Sequence, residues 1–485
     1  MSLSPYATAA ELSTALTERK VSSLELTEAQ IARVEQLDGP INAVCVKTYD
    51  RARAAAKAAD ERLAKGERGP LLGVPMTIKE SYNLTGTPTT WGFPASRDFT
   101  PAEDALAIQR VERAGAVILG KTNVPLGLGD WQSYNDIYGV TNNPYDLDRT
   151  PGGSSGGSSA ALAAGFGALS LGTDIAGSLR VPAHFCGIFA HKPTHDLCPP
   201  RGHLPPGAPP LPGSVDLSVI GPMARSAADL EALLDVIAGP DPLDMGVGYR
   251  LALPPARHAR IADYRILALA QHPLGASDAC VAGAIGSLAE KLARVGARVA
   301  YRSDLLPNLE ACAPLFLQLL YATLASRWPD EAFASIAKQA ETLAPDDHSL
   351  DAEVARGAVV GYRGWTVANA RRNGIRAQWR RLFQDFDAVI APITQTPAFA
   401  HDHEPDQGKR RIVVNGAPVD YFTQSLWPGV ATLPGLPATA LPIGRSPEGL
   451  PIGAQIIGPW LEDRTPLALA GLIERELGGF EPPAI

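Results

Sequence analysis

The sequence predicts an α/β fold, and three observations carry the prediction. From Leu71 onward short β-branched runs alternate with helical stretches, the pattern of strands and the helices that cover them. Of the 485 residues 45% are hydrophobic and 19% charged, ordinary for a chain that buries a large core. The apolar runs are also short: none reaches the roughly 18 residues of a membrane span, and residues 315–324 are too few and contain Gln318.

Taken in order, residues 8–65 read as helical. Thr8-x-x-Glu11 and Ser22-x-x-Glu25 fit capping boxes leading into apolar residues at helical spacing, and the Ala/Arg/Lys-rich stretch 49–65 stops at Gly66. A strand is expected at 74–78, a helix at 102–114 and a strand at 116–119. Residues 152–187 are dense in Gly, Ser and Ala, with a helix expected at 158–164 and a strand at 168–172. The Pro/Gly-rich stretch 199–213 reads as an irregular loop. Residues 225–330 look mainly helical, with strands at 264–270 and 297–302. Strands at 386–393 and 454–457 flank a second Pro/Gly-rich segment, 427–453. No repeat and no polar linker appears, so a single domain 1–485 is expected. It comprises a helical segment 1–68, a core 70–225, a mainly helical insert 226–380 and a sheet segment 381–485.

The net charge of −8 is spread over both signs, which argues against nucleic acid as a partner; the pairs Arg371-Arg372 and Arg380-Arg381 read as solvated helix faces. Five cysteines lie scattered without a C-x-x-C pair, so neither a disulfide framework nor a zinc site is expected. Residues 1–10 lack a basic segment followed by an apolar run, and a cytoplasmic protein without cofactor, metal or membrane contact is expected.

The segment Pro151-Gly-Gly-Ser-Ser-Gly-Gly-Ser158 runs directly into apolar patterns, so its glycines serve backbone geometry rather than a flexible linker. Ser178 follows Ile175-Ala176-Gly177 at a strand-to-helix junction, where successive N–H groups can converge on an oxyanion. It is a candidate nucleophile. For its base, His184, His191, His195 and His203 are available, but each is more often structural. Lys79, at the end of an apolar run, is the better candidate, because burial lowers a lysine's pKa toward neutrality.

These residues belong to a pattern that resembles the amidase signature family. The marks are Gly73-Val-Pro-Met-Thr-Ile-Lys79, Gly115-Ala-Val-Ile-Leu-Gly-Lys-Thr-Asn123, Asn143-Pro-Tyr-Asp146, Pro151-Gly-Gly-Ser-Ser-Gly-Gly157 and Gly172-Thr-Asp-Ile-Ala-Gly-Ser-Leu-Arg180. Phe185-Cys-Gly187, His191-Lys-Pro-Thr194, Gly221-Pro-Met223, Gly435-Leu-Pro437, Pro442 and Gly449-Leu-Pro-Ile-Gly453 follow in order. The resemblance implies a central mixed, twisted β-sheet surrounded by α-helices. It implies Lys79 as base, Ser154 as bridging serine in a cis peptide, and Ser178 as nucleophile, with Ser154 and Ser178 24 residues apart as in the family. It also implies an oxyanion hole from the N–H groups of Ile175, Ala176, Gly177 and Ser178, with Ser155, Asp174 and Arg180 in support. Two positions depart from the pattern: Ala176 stands where Gly is usual and Glu80 where Asp is common.

Three other motifs are decoys on context. Gly115–Thr122 matches the P-loop spacing, but its middle is an apolar strand. Gly153-x-Ser155-x-Gly157 matches a nucleophile elbow but lacks a preceding strand. His401-x-His403 lies in an acidic, Pro-flanked loop and reads as surface. The expected activity is hydrolysis of an amide, ester or carbamate by a monomer or homodimer acting on a small molecule, through a Ser178 acyl-enzyme. Trp91, Trp131, Tyr134, Tyr138 and Trp427 are candidates for the acyl pocket, with ordinary core packing equally open for each. Two alternatives stand beside this: the glutaminase subunit of a tRNA-dependent amidotransferase, from whose usual residues Val181 and His195-Asp196 differ, and a non-catalytic binding protein on the same fold.

Overall fold

A computed structural model describes residues 3–485; of the expected segment 1–68, and of the reading of residues 1–10, the first two residues lie outside it. Both capping boxes form. The Thr8 hydroxyl accepts from Glu11 N (3.2 Å) while Glu11 accepts from Thr8 N (2.8 Å), and Ser22 and Glu25 do the same at 3.1 and 2.8 Å. They start the helices Ala9–Thr17 and Ser23–Ile41. Asn42 ends the second in a left-handed conformation (φ 55°) and turns the chain into a strand, Val44–Lys47. That strand lies inside the stretch expected to be helical. Four residues are too few to show a period of two against strong helix signals on either side.

Eleven strands form one sheet. From edge to edge they are Val44–Lys47, Val117–Thr122, Pro75–Lys79, Leu169–Asp174, Val219–Ala224, Phe189–Lys192, Ala438–Arg445, Pro451–Ile457, Ala388–Pro392, Arg265–Ala268 and Arg298–Ala300. Pro75–Lys79 runs parallel to both its neighbours, and Arg265–Ala268 parallel to both of its own. The strands between these two parallel flanks pair antiparallel. The sheet is thus mixed, as the resemblance implies. It draws strands from all four expected segments; even the mainly helical 226–380 contributes two.

Two further differences concern Pro and Gly. Residues 427–453 contain the helix Leu426–Thr432 and the strand Ala438–Arg445, rather than an irregular lead-in. The helix is buried throughout and the strand over Ala438–Pro442, so packing against the adjacent strands overrides the local preference of the prolines. Residues 199–213 contain neither helix nor strand, as expected. Among the described residues no helix is long and apolar enough to cross a membrane. The five cysteines are unpaired. Among the described residues no group of three or more His, Cys, Asp or Glu is placed to hold a metal.

Candidate functional site

Parallel strands end on the same edge of a sheet, and the crevice beyond their carboxyl ends is where open α/β sheets place ligands. Pro75–Lys79 and Leu169–Asp174 are such a pair, in register with Ile78 opposite Leu171. Lys79 is therefore carried to the same edge as Thr173 and Asp174. Its Nζ lies 2.8 Å from Thr173 Oγ1 and 2.7 Å from Ser154 Oγ, and the side chain is wholly buried. An ammonium carries three N–H donors, but among the described residues only these two acceptors are in reach, whereas a neutral amine donates to Thr173 and accepts from the Ser154 hydroxyl. Burial pushes the Lys79 pKa well below its usual value, against the opposing charges of Asp174 and Glu80.

Ser154 sits in the glycine-rich turn before the helix Gly156–Ala163, and the Gly153–Ser154 peptide is cis. Only glycine fits at 153: a Cβ there would lie 2.4 Å from the carbonyl oxygens of Asp130 and Gln132. Ser155 N donates to Ser178 O (3.2 Å). The Ser155 hydroxyl both accepts from Thr173 N and donates to Thr173 O, each at 3.3 Å. Ser155 is fully buried, and these bonds make it a tie between the serine turn and the strand. The nucleophile-elbow geometry is absent.

Beyond Asp174 the chain turns through residues 175–178 into the short helix Arg180–Phe185. Asp174 organises this turn, accepting from Gly177 N (2.9 Å), Leu179 N (3.2 Å) and both faces of the Arg180 fork (2.9 and 3.0 Å). Burial alone would raise the Asp174 pKa. The charge and hydrogen bonds of Arg180 outweigh it and hold the carboxyl below its usual value. Arg180 is itself satisfied by Gln455, Thr432 and the Pro428 carbonyl. Gly177 has φ +100°, and a Cβ there would meet Pro428 and Val181 at 2.8 Å. Of the four N–H groups expected to form an oxyanion hole, that of Gly177 is thus engaged by Asp174. Those of Ile175, Ala176 and Ser178 have no acceptor among the described residues. Ala176 is not among the residues with positive φ, so its methyl group is accommodated where the family usually has Gly.

Ser178 and Ser154 open onto one cavity of about 860 Å³, within the range of small-molecule sites. Among the described residues the Ser178 hydroxyl, on a buried side chain, has no hydrogen-bond partner. None of the four histidines reaches Ser178. His184 bonds Thr396 O and Gly453 N, His191 bonds Thr439 and Asp463, and His195 bonds Val215 O. His203 lines the cavity and bonds Ser81 at 2.9 Å. Burial above all holds it neutral, well below the usual histidine pKa.

The expected acyl-pocket residues fare differently. Trp91 does line the cavity. Trp131, Tyr134 and Trp427 do not. The Trp131 indole donates to Ala176 O (2.9 Å), so it props the turn before Ser178 from behind. Tyr134 accepts from Arg410 (2.7 Å) and stacks on His403 at 3.9 Å, which accounts for that histidine. Trp427 is fully buried, donating to Ser277 and packing edge-on to His272. Tyr138 reaches Glu80 rather than the cavity (3.4 Å). Glu80, one methylene longer than the usual Asp, accepts from Thr90 N (2.5 Å) and Trp91 N (3.0 Å) and so fixes the loop that presents Trp91. The P-loop look-alike is the strand Val117–Thr122, whose Lys121 donates to Pro88 O and Thr89.

Sequence reasoning missed Thr173 and most of the wall. Tyr321, Leu324 and Trp328 lie along the helix Leu309–Ala325 and just beyond it. Their spacing of three and four residues is indistinguishable in sequence from core packing.

Comparison with known proteins shows the family. The family model Amidase matches residues 25–467. A glutamyl-tRNA(Gln) amidotransferase subunit from Anaeromyxobacter dehalogenans is 34% identical, over 96% of this chain and 95% of that protein. The indoleacetamide hydrolase of Bradyrhizobium diazoefficiens is 32% identical, over 97% of this chain and 86% of its own. Among solved structures, a chain of an inhibitor-bound vestigial complex, tied to the evolutionary origins of an s-triazine catabolic enzyme, superposes with a TM-score of 0.80. It is 30% identical and covers 98% of this chain and 99% of its own. The chain therefore belongs to the amidase family, the amidase signature enzymes.

Proposed function

We propose that the protein hydrolyses a carbon–nitrogen acyl bond of a small molecule through a Ser178 acyl-enzyme, with Ser154 as proton relay and Lys79 as base. The observation that carries this is the buried contact of 2.7 Å between Lys79 Nζ and Ser154 Oγ, set in the cavity that also holds Ser178. As Ser178 Oγ bonds to the acyl carbon, its proton passes to Ser154 Oγ and the Ser154 proton passes to the Lys79 amine. The carbonyl oxygen becomes an oxyanion within reach of the free N–H groups of Ile175, Ala176 and Ser178. Collapse breaks the C–N bond, and the proton returns from Lys79 through Ser154 to the departing nitrogen. Water then gives its proton to the same relay and its oxygen to the acyl carbon, freeing the acid and Ser178. Esters and carbamates fit the same sequence of steps. The shared sheet supports reading the whole chain as a single amidase domain.

A second reading has the similarity to a tRNA-dependent amidotransferase component in its favour: glutamine is the amide, and the ammonia released passes to another protein of the complex. The test is kcat/KM on aryl and alkyl amides, an ester, a carbamate and glutamine, for the wild type, Ser178→Ala and Ser154→Ala. The first reading expects turnover of a small amide by the isolated chain, lost in both variants. Activity confined to glutamine and dependent on co-purifying proteins favours the second, and retained activity in Ser178→Ala removes both.

A further inference from the structure

The cavity that holds Ser178 is also lined by a cation without an ion-pair partner among the described residues. Past the helix Leu309–Ala325, Arg327 lines the same cavity as Ser154, Ser178 and His203. Among the described residues its guanidinium makes no ion pair; Arg327 joins the rest of the protein only through a backbone bond to Leu324 O. Unpaired arginines on an open surface need no explanation, because water satisfies them. Arg327 is likewise exposed and solvated while the cavity is empty, but its neighbours in the cavity wall are Leu324, Trp328 and Pro329. A substrate filling the cavity displaces that water, and a desolvated cation without a partner is costly. The other cation of the wall, Lys409, is already paired with Asp406 at 3.5 Å.

We propose that Arg327 is a specificity residue that selects substrates bearing a carboxylate on an apolar or aromatic body. A guanidinium fork matches a carboxylate in two parallel hydrogen bonds, which fixes direction as well as charge. Aromatic walls from Trp91, Phe93 and Trp328 take up the body of the substrate, leaving its acyl carbon for Ser178. Arg327 lines the same cavity as His203 and Ser178, and the His203 ring packs tilted against Trp91 at 5.1 Å. The unpaired acid of the wall, Asp351, begins the helix Leu350–Ala358, and its charged neighbours are Asp420, Arg411, Asp406 and Asp347.

The inference rests on the reading of Ser178 as nucleophile, and the experiment separates the two. Three amides with one aryl body, carrying a carboxylate, a neutral amide or an ammonium at the far end, are turned over by wild type, Arg327→Gln, Arg327→Lys and Asp351→Asn. Labelling of Ser178 by a neutral fluorophosphonate is followed in parallel. Wild type is expected to favour the carboxylate amide at least tenfold in kcat/KM. Arg327→Gln is expected to raise its KM about 10- to 100-fold while leaving the neutral amide within threefold. Arg327→Lys keeps part of the preference, Asp351→Asn all of it, and Ser178 labels at the wild-type rate in every variant. Equal losses on all three amides in Arg327→Gln, or a wild-type preference for the neutral or ammonium form, overturn the substrate class alone. Failure of wild-type Ser178 to label overturns the site reading and the substrate class with it.

Discussion

Replacing Lys79 with methionine separates the chemistry of the site from its packing. The side chain is wholly buried, and methionine matches its length and volume without a polar head, so the strand and its register are preserved. Two hydroxyls, on Ser154 and Thr173, lose a partner each, at about 1–3 kcal/mol apiece. Against this, a buried amine that resists protonation is removed. The two effects oppose each other, and the net stability change at pH 7 is expected within about 2 kcal/mol. Activity has no such offset. General acid–base transfer contributes about 10²- to 10⁴-fold, so kcat/KM for a small amide falls by at least 100-fold. The pH profile supplies a second readout. The neutral amine is the active form, so wild-type kcat/KM falls as pH drops through a pKa below the usual lysine value of 10.5, and Lys79→Met lacks this limb. Stability follows with a definite sign. Between the lowered folded pKa and the unfolded value of 10.5 the unfolded chain binds one more proton at this residue. Wild-type stability relative to Lys79→Met therefore rises with pH in that window, by up to about 1.4 kcal/mol per unit, and is flat below it. Amide hydrolysis across pH 6–10 and urea denaturation at matched pH measure both. A variant within tenfold of wild type in kcat/KM, with its pH limb intact, refutes the assignment of Lys79 as base.

Asp174→Ala leaves Arg180 buried without its carboxylate and frees the turn before Ser178; a loss of about 3–5 kcal/mol in denaturant unfolding is expected. A loss under 1 kcal/mol contradicts the network as described. Gly177→Ala meets both a positive φ and contacts of 2.8 Å. It is expected to cost more than about 1 kcal/mol and to lower kcat more than it raises KM, with equal effects on both counting against the turn as an oxyanion support. Trp328→Ala is expected to alter KM across a series of aryl amides with little change in melting temperature. Trp427→Ala is expected to lose about 3–5 kcal/mol of stability, and a reversal of the two patterns would falsify the division between cavity wall and core.

The sequence made the alternation of strands and helices readable because most elements have clear starts, as at the capping boxes of Thr8 and Ser22, and because runs such as 74–78 are uniformly apolar. The edge strand Val44–Lys47 and the strand Ala438–Arg445 were not readable. The first is too short to show periodicity. The second carries Pro442 and Gly444, and it is held between the next strand, Pro451–Ile457, and residues close to 250 positions earlier, such as Thr439 with His191. At the site, Lys79, Ser154, Ser178, Asp174 and Arg180 were named through motif order, and the structure gathers them at one edge of the sheet. The cavity wall was not legible. Which aromatic residue faces a cavity depends on tertiary packing, and Trp131 and Trp427 carry nothing in their local sequence that separates support from lining. Thr173 was hidden for a similar reason: as a β-branched residue in a strand it reads as ordinary sheet.

The most direct test is to treat the protein with a fluorophosphonate, measure its intact mass and map the modified peptide, in wild type, Ser178→Ala, Ser154→Ala and Lys79→Met. A single adduct on Ser178, absent in Ser178→Ala and slowed at least 100-fold in the other two variants, is the result this account predicts. An adduct on Ser155, or Ser178 labelling that proceeds at the wild-type rate without Lys79, would contradict it.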